Sequence, residues 1–211
     1  MSHFIDYLKQ IYIDNPALTK VSMTNLVNNF KNLISNELFL KLLGYLDEKD
    51  ALLKKTIEAS ICAVLVGIKK SNDLDVFLKS SQKLSFDFEA QLNNYCPKES
   101  LFSCGYLYLD WLFAVKKDRI SEMISNEVGV RSETARIVLN VVSILIINDL
   151  KKDTPKNLIS ILESQSEILC RLLPRGVKLI LGLPNVDYAT SIANENESSL
   201  FSFSFFKNKR N

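Results

Sequence analysis

The chain is predicted to be all α, a multi-helix bundle built from two duplicated helical-hairpin units, and three observations carry that reading. A unit of helix, short polar break, long apolar helix and closing Lys-Lys pair occurs twice, as LFLKLLGYLDEKDALLKKTIEASICAVLVGIKKS and as RISEMISNEVGVRSETARIVLNVVSILIINDLKKD. Lys69 and Lys151 are 82 positions apart, and the same shift carries Leu53, Ile57, Leu65 and Ile68 onto Ala135, Leu139, Ile147 and Leu150. Self-similarity at a fixed period signals a repeated packing unit. The composition, 47% hydrophobic and 24% charged over 211 residues, is that of a folded protein long enough to bury a core. With Gly 6 and Pro 5, helix breakers are few and widely spaced.

Taken in order, residues 4–13 are predicted to form a short amphipathic helix closed by the Asp14-Asn15-Pro16 turn, and residues 24–46 carry the next apolar periodicity. Asp47 reads as the N-cap of the following helix, with Asp50 in the first turn, where a carboxylate is favoured. Leu53, Thr56, Ile57, Ser60 and Val64 then follow the helical stripe to Lys69 and Lys70. Residues 71–97 hold two weaker helical stretches parted at Ser80-Ser81, with Phe77, Leu84, Phe86, Phe88 and Leu92 as candidate core contacts.

Asn93-Asn94-Tyr95-Cys96-Pro97 is the clearest break. It divides the chain into a first repeat half, residues 1–96, and a second, residues 97–186, followed by an aromatic and basic tail, residues 187–211, whose Asn, Ser and Glu content predicts disorder. LFSCGYLYLDWLFAV is apolar around nearly its whole circumference, as for a helix sandwiched between the halves. In the second copy Ser132 caps the long helix, Thr154-Pro155 and Ser164-x-x-Glu167 signal two more helix starts, and Leu172-Leu173-Pro174 ends the last.

Several function classes are disfavoured. A net charge of +2 provides no global field toward nucleic acid or anionic lipid. The lone histidine, His3, is near the terminus, which removes His-based triads and histidine-rich metal sites; no phosphate-cradling glycine loop occurs. No catalytic residue, metal ligand or cofactor is therefore assigned. Cys62, Cys96, Cys104 and Cys170 form no C-x-x-C pair and read as free thiols. Asp6 and Lys9 interrupt any export signal, and the longest apolar runs fall short of the ~20 residues that span a bilayer, so a cytoplasmic location, at most membrane-peripheral, is expected.

The remaining features are weighed against plain structural roles. Asp110, the one charge in its apolar segment, either sits on an exposed edge, bonds a nearby tyrosine or backbone group, or marks a perturbed carboxylate in a cleft. ISEMISNEVGVRSETARIVL has the cadence of a helix-turn-helix with Ser132, Glu133, Arg136 and Asn140 outward. Its second helix turns apolar after Arg136, which favours a buried hairpin and makes nucleic acid an improbable partner. Lys69, Lys70, Lys151 and Lys152 close apolar helices, where the macrodipole favours cations; were the helices parallel, the four could converge as an anionic docking patch. Phe201, Phe203, Phe205, Phe206, Lys207, Lys209 and Arg210 suit either a weak anionic membrane contact or an unstructured tail.

Three segments, NLISNELFLKLLGYLDEKDALLKKTIEASICAVLVGIKK, SNEVGVRSETARIVLNVVSILIINDLKK and LLPRGVKLILGLP, together resemble the bacterial family termed domain of unknown function 937 (DUF937), over residues 32–184. The resemblance implies an all-helical domain of the kind found beside OmpA-like peptidoglycan-binding modules in cell-envelope proteins, with no activity and no catalytic residue to transfer. This chain is poorer in glycine and alanine than that family and ends without an OmpA-like segment. The expected function is a non-enzymatic bacterial scaffold or protein-interaction domain with an unknown protein partner. A membrane- or envelope-associated protein anchored by its tail is the alternative, and a DNA-binding regulator the third.

Overall fold

Two 21-residue helices, α3 (Asp50–Lys70) and α7 (Ser132–Lys152), pack side by side at the centre of the computed structural model, which describes residues 25–71, 73–81, 98–152 and 157–184. Asp50 and Ser132, like Lys70 and Lys152, are 82 positions apart, so the period read from the sequence sets both ends of both helices. The eight residues related by that shift, Leu53, Ile57, Leu65 and Ile68 with Ala135, Leu139, Ile147 and Leu150, are all at most 4% exposed. Burying each larger aliphatic chain contributes about 1.5–3 kcal/mol, so the shared apolar face of the pair is the main source of cohesion. Among the described residues every regular element is helical.

Shorter helices surround this pair. α1 (Asn25–Lys31) and α2 (Asn36–Leu46) precede α3; α4 (Leu74–Ser81) follows it. α5 (Lys98–Phe113) leads through a 3-10 elbow at Ala114–Lys116 into α6 (Lys117–Val128) and α7, and α8 (Leu158–Ser164), α9 (Ser166–Leu172) and α10 (Arg175–Leu181) close the described chain. One continuous core joins residues of both halves, from Leu26 to Leu181. Buried hydroxyls in the long helices bond back to their own backbone, as Thr56 Oγ1 does to the Leu52 carbonyl at 2.8 Å and Ser143 Oγ to that of Asn140 at 2.7 Å. The expected helix at residues 4–13, the weaker helical stretch expected after Ser80-Ser81 and the tail at residues 187–211 lie outside the described residues.

The hairpin turns show what the repeat demands. Asp47 is not the N-cap of α3: it closes α2 in the left-handed region at φ 48°, its N–H bonded to the Leu43 carbonyl, and Lys49 takes the N-cap position without a side-chain bond. Eighty-two residues on, Gly129 closes α6 in the same region at φ 82°. The turn requires a left-handed residue, which glycine supplies without strain and aspartate tolerates better than most. Replacing Gly129 with Ala is expected to cost about 1 kcal/mol, whereas Asp47→Gly changes stability by less than about 0.5 kcal/mol; urea unfolding of both variants measures the asymmetry.

Other local expectations need correction. The periodicity over residues 24–46 is broken at residues 32–35, where Ser35 Oγ accepts the Leu38 N–H at 3.1 Å and restarts the helix as α2. Ser164 forms no capping box; its hydroxyl donates to the Ile161 carbonyl at 2.8 Å, and Gln165 precedes α9 without a side-chain bond. The segment containing α5 is covered on one side only, with Tyr106, Leu107 and Asp110 exposed. Its inner side packs on α7 and α3, and Phe77 of α4 stacks on Trp111 with ring centroids 3.7 Å apart. Cys62 and Cys170 are buried free thiols, and burial pushes the Cys62 thiol up to about 12.

Candidate interaction site

Where α5, α6 and α7 meet, a small surface recess of about 90 Å³ is lined by Tyr106, Leu109, Lys117, Arg136, Leu139 and Asn140, among others. Close approach of α5 to α7 builds its floor. A Cβ placed on Gly105 would lie 2.6 Å from Asn140 Oδ1 and 2.8 Å from Asn140 Cβ, so only glycine lets the two helices touch there. Asn140 is buried, contrary to the outward placement expected for it; its Nδ2 donates to the Arg136 carbonyl at 2.8 Å, while Oδ1 has no hydrogen-bond partner. An acceptor left in that state costs about 1–3 kcal/mol and is satisfied by any donor that reaches it.

The elbow after α5 builds the rim. Ala114 takes a left-handed φ of 47°, which turns the chain so that Lys117 folds back over α5. Lys117 Nζ donates to Asp110 Oδ1 at 2.6 Å and stands 4.0 Å from the Tyr106 ring centroid, a cation over an aromatic face. Its ammonium is held above the usual lysine range by the Asp110 hydrogen bond and by Tyr106, against an opposing effect of burial, so it stays charged at physiological pH. Asp110, with a side chain 56% exposed, therefore occupies an outer edge with a defined partner. Around it Tyr106 is 48%, Leu107 51% and Val115 88% exposed.

Chemically, the recess fits one small side chain. Its volume is below the ~300–1,000 Å³ of typical small-molecule pockets. Among the described residues no three His, Cys, Asp or Glu side chains converge on a metal-sized space, and no helix is long and apolar enough to cross a membrane.

The four candidate lysines are drawn to different neighbours. Lys69 Nζ donates to Ser166 Oγ at 2.9 Å, Lys70 Nζ to the Leu181 carbonyl at the end of α10, and Lys151 Nζ to the buried Tyr108 hydroxyl at 2.6 Å, while Lys152 is exposed. Tyr108 in turn meets Phe77 edge-on with centroids 5.7 Å apart, which links the C-terminal end of α7 to the helix that follows α3. The oxygens that receive Lys69 and Lys70 are neutral, so those bonds position both cations without cancelling their charge. Phe201, Phe203, Phe205, Phe206, Lys207, Lys209 and Arg210 lie outside the described residues.

Two carboxylates that the sequence reading did not single out brace the hairpins. Glu48 Oε1 accepts from Thr134 Oγ1 at 2.8 Å and from the Arg131 backbone N–H and Nε, both at 3.3 Å; Arg131 also donates to the Leu46 carbonyl. The starts of α3 and α7 are thereby joined. Burial pushes the Glu48 carboxyl up, but hydrogen bonds from Thr134 and Arg131, with the Arg131 charge, outweigh it and hold the group below the usual carboxylate range. Because the folded-state value is depressed, this brace stabilises the protein above the ordinary glutamate range and is lost as pH falls through the lowered one. Glu48→Gln should lower the urea midpoint at about pH 7, with the gap to the native protein narrowing at about pH 4.

Glu127 does the same for α10, accepting the Arg175 N–H at 2.6 Å and that of Gly176. A Cβ on Gly176 would lie 2.5 Å from Met123 Sδ, so glycine allows α10 to press onto α6. Neither carboxylate shows a local sequence signal, because each one's partners lie 48 or more residues away. In the helix-turn-helix segment, α6, Gly129 and α7 do follow one another, but α7 is the interior helix: Ser132, Glu133 and Arg136 are exposed, and residues 137–144 are buried. A reading head for a DNA groove needs a surface helix. Comparison of the chain with protein families, curated proteins and solved structures finds no match.

Proposed function

We propose that this chain is a non-enzymatic helical scaffold that binds a protein partner on the outer face of α5, with one partner side chain entering the recess beside Tyr106. What supports this is the recess lined by Tyr106 and Asn140, next to a stretch of α5 and its elbow on which Leu107 and Val115 are also exposed. Such a site suits a partner that brings one small side chain to the recess and apolar neighbours to Tyr106 and Leu107. Kinship with the DUF937 family, and with it a bacterial origin, belongs to this proposal and rests on the three segments quoted above.

Affinity capture from the native cell tests the reading. Leu107→Asp and Tyr106→Ala should each lose the partner that the unaltered chain retains, whereas Val76→Asp, an equally superficial change on α4, should keep it; all three should leave the helical circular dichroism unchanged. Recovery of the same partner by the Leu107 and Tyr106 variants would refute the site.

A second reading rests on the run of phenylalanines followed by cations in the tail, which suits an anionic lipid surface, reinforced by the charges of Lys69, Lys70, Lys151 and Lys152. Deleting residues 200–211 should then reduce co-sedimentation with anionic vesicles, and Lys152→Glu, at an exposed position, should reduce it further. Unchanged partitioning of both variants would remove this reading.

A further inference from the structure

The duplication extends beyond the two long helices. α1 and α5 end at Lys31 and Phe113, and α2 and α6 at Leu46 and Val128, each pair 82 positions apart like the ends of α3 and α7. The walls of the Tyr106 recess therefore have counterparts in the first copy. Leu109 and Leu139 correspond to Val27 and Ile57, buried aliphatic side chains in both copies, and Arg136 corresponds to Lys54, a cation in both. Ser121 is the exception, because its counterpart is Phe39. That ring is half-buried against the core, and Lys54 Nζ stands over it at 5.4 Å from the centroid while also holding Asp50 at 2.9 Å. Where the first copy has an aromatic ring under a cation, the second has a serine and a recess of about 90 Å³.

We infer that the recess is an aromatic-ring site: the partner side chain that enters it is a phenyl ring, facing Arg136 as Phe39 faces Lys54. This rests on partner binding at the α5 face and names the side chain that binds there. Size agrees, since a space of about 90 Å³ holds about six to nine water-sized atoms and a phenyl ring has six. A ring need not be wholly enclosed, as the half-buried Phe39 is not. Polarity agrees as well. Donors along the recess are already directed to protein oxygens, Ser121 Oγ to the Asp118 carbonyl at 2.8 Å, Lys117 Nζ to Asp110 at 2.6 Å and Asn140 Nδ2 to the Arg136 carbonyl at 2.8 Å. A ring needs none of them; it gains from the aliphatic walls and from a cation over its π face. A cation that already has a partner still serves, as Lys54 does while bonded to Asp50.

Titration of the nitrogen-15-labelled full chain with N-acetylphenylalaninamide, followed by amide chemical shifts, tests this. Signals of Tyr106, Ser121 and Arg136 should move saturably, and N-acetylleucinamide should bind at least about threefold more weakly. Ser121→Phe, which supplies the ring from within as Phe39 does in the first copy, should abolish the response, whereas Ser121→Ala should keep it. The inference is overturned if neither probe gives a saturable shift, if both bind alike, or if Ser121→Phe responds as the native chain does. Should Ser121→Phe fail to fold, the preference of the native chain between the two probes still decides. Capture of the cellular partner separates this inference from its premise. Loss of that partner by Tyr106→Ala with retention by a folded Ser121→Phe would refute the ring and leave the α5 face standing, whereas retention by Tyr106→Ala would remove the face itself.

Discussion

Leu65→Ala is expected to lower the unfolding free energy by about 2–5 kcal/mol, and Ile147→Ala, its counterpart in the second copy, by a similar amount. Both side chains are fully buried on the central helices, where truncation removes apolar contact and leaves a void that close-packed neighbours only partly fill. The equivalence follows from the architecture. If α3 and α7 are copies of one packing unit around one core, related positions carry comparable burdens. Chemical denaturation of the two variants side by side gives the comparison.

A second large effect is expected at Gly105. An added methyl would meet the Asn140 side chain at 2.6 and 2.8 Å and its backbone oxygen at 2.9 Å, and that backbone belongs to a buried central helix that cannot yield cheaply. Gly105→Ala should therefore cost about 1–3 kcal/mol by forcing α5 away from α7, although alanine is the better helix former. The same displacement should open the recess beneath Tyr106 and weaken partner capture. The urea midpoint reports the first effect, and the capture assay the second.

Much of this fold was legible because it is governed by periodicity. The apolar stripe and the Lys-Lys endings located α3 and α7 and their C-terminal ends, and the shift between copies paired the positions that are buried together. For Asp110 the cost of burying a lone carboxylate made an exposed edge one of the alternatives, and the structure places it there with Lys117, a partner the sequence did not announce. What escaped depends on contacts distant in sequence. Asp47 looks like a capping residue locally, yet the hairpin needs a left-handed closure there, a requirement made visible by Gly129 in the other copy. α10 was invisible as a helix because its first donors are satisfied by Glu127, 48 residues earlier. The exposure of Tyr106 and Leu107 was masked by the wholly apolar look of their segment, since a stripe cannot be read where every face is apolar.

The central claim is that both copies of the hairpin share one cooperative core, and the single tryptophan allows it to be tested across the boundary between them. Trp111 lies in the second half and Leu65 in the first. Urea unfolding of Leu65→Ala, followed in parallel by Trp111 fluorescence and by far-ultraviolet circular dichroism, should give coincident transitions, both shifted to lower denaturant by the same amount. A Trp111 transition that stays at the native midpoint while the dichroism shifts or splits in two would contradict the claim.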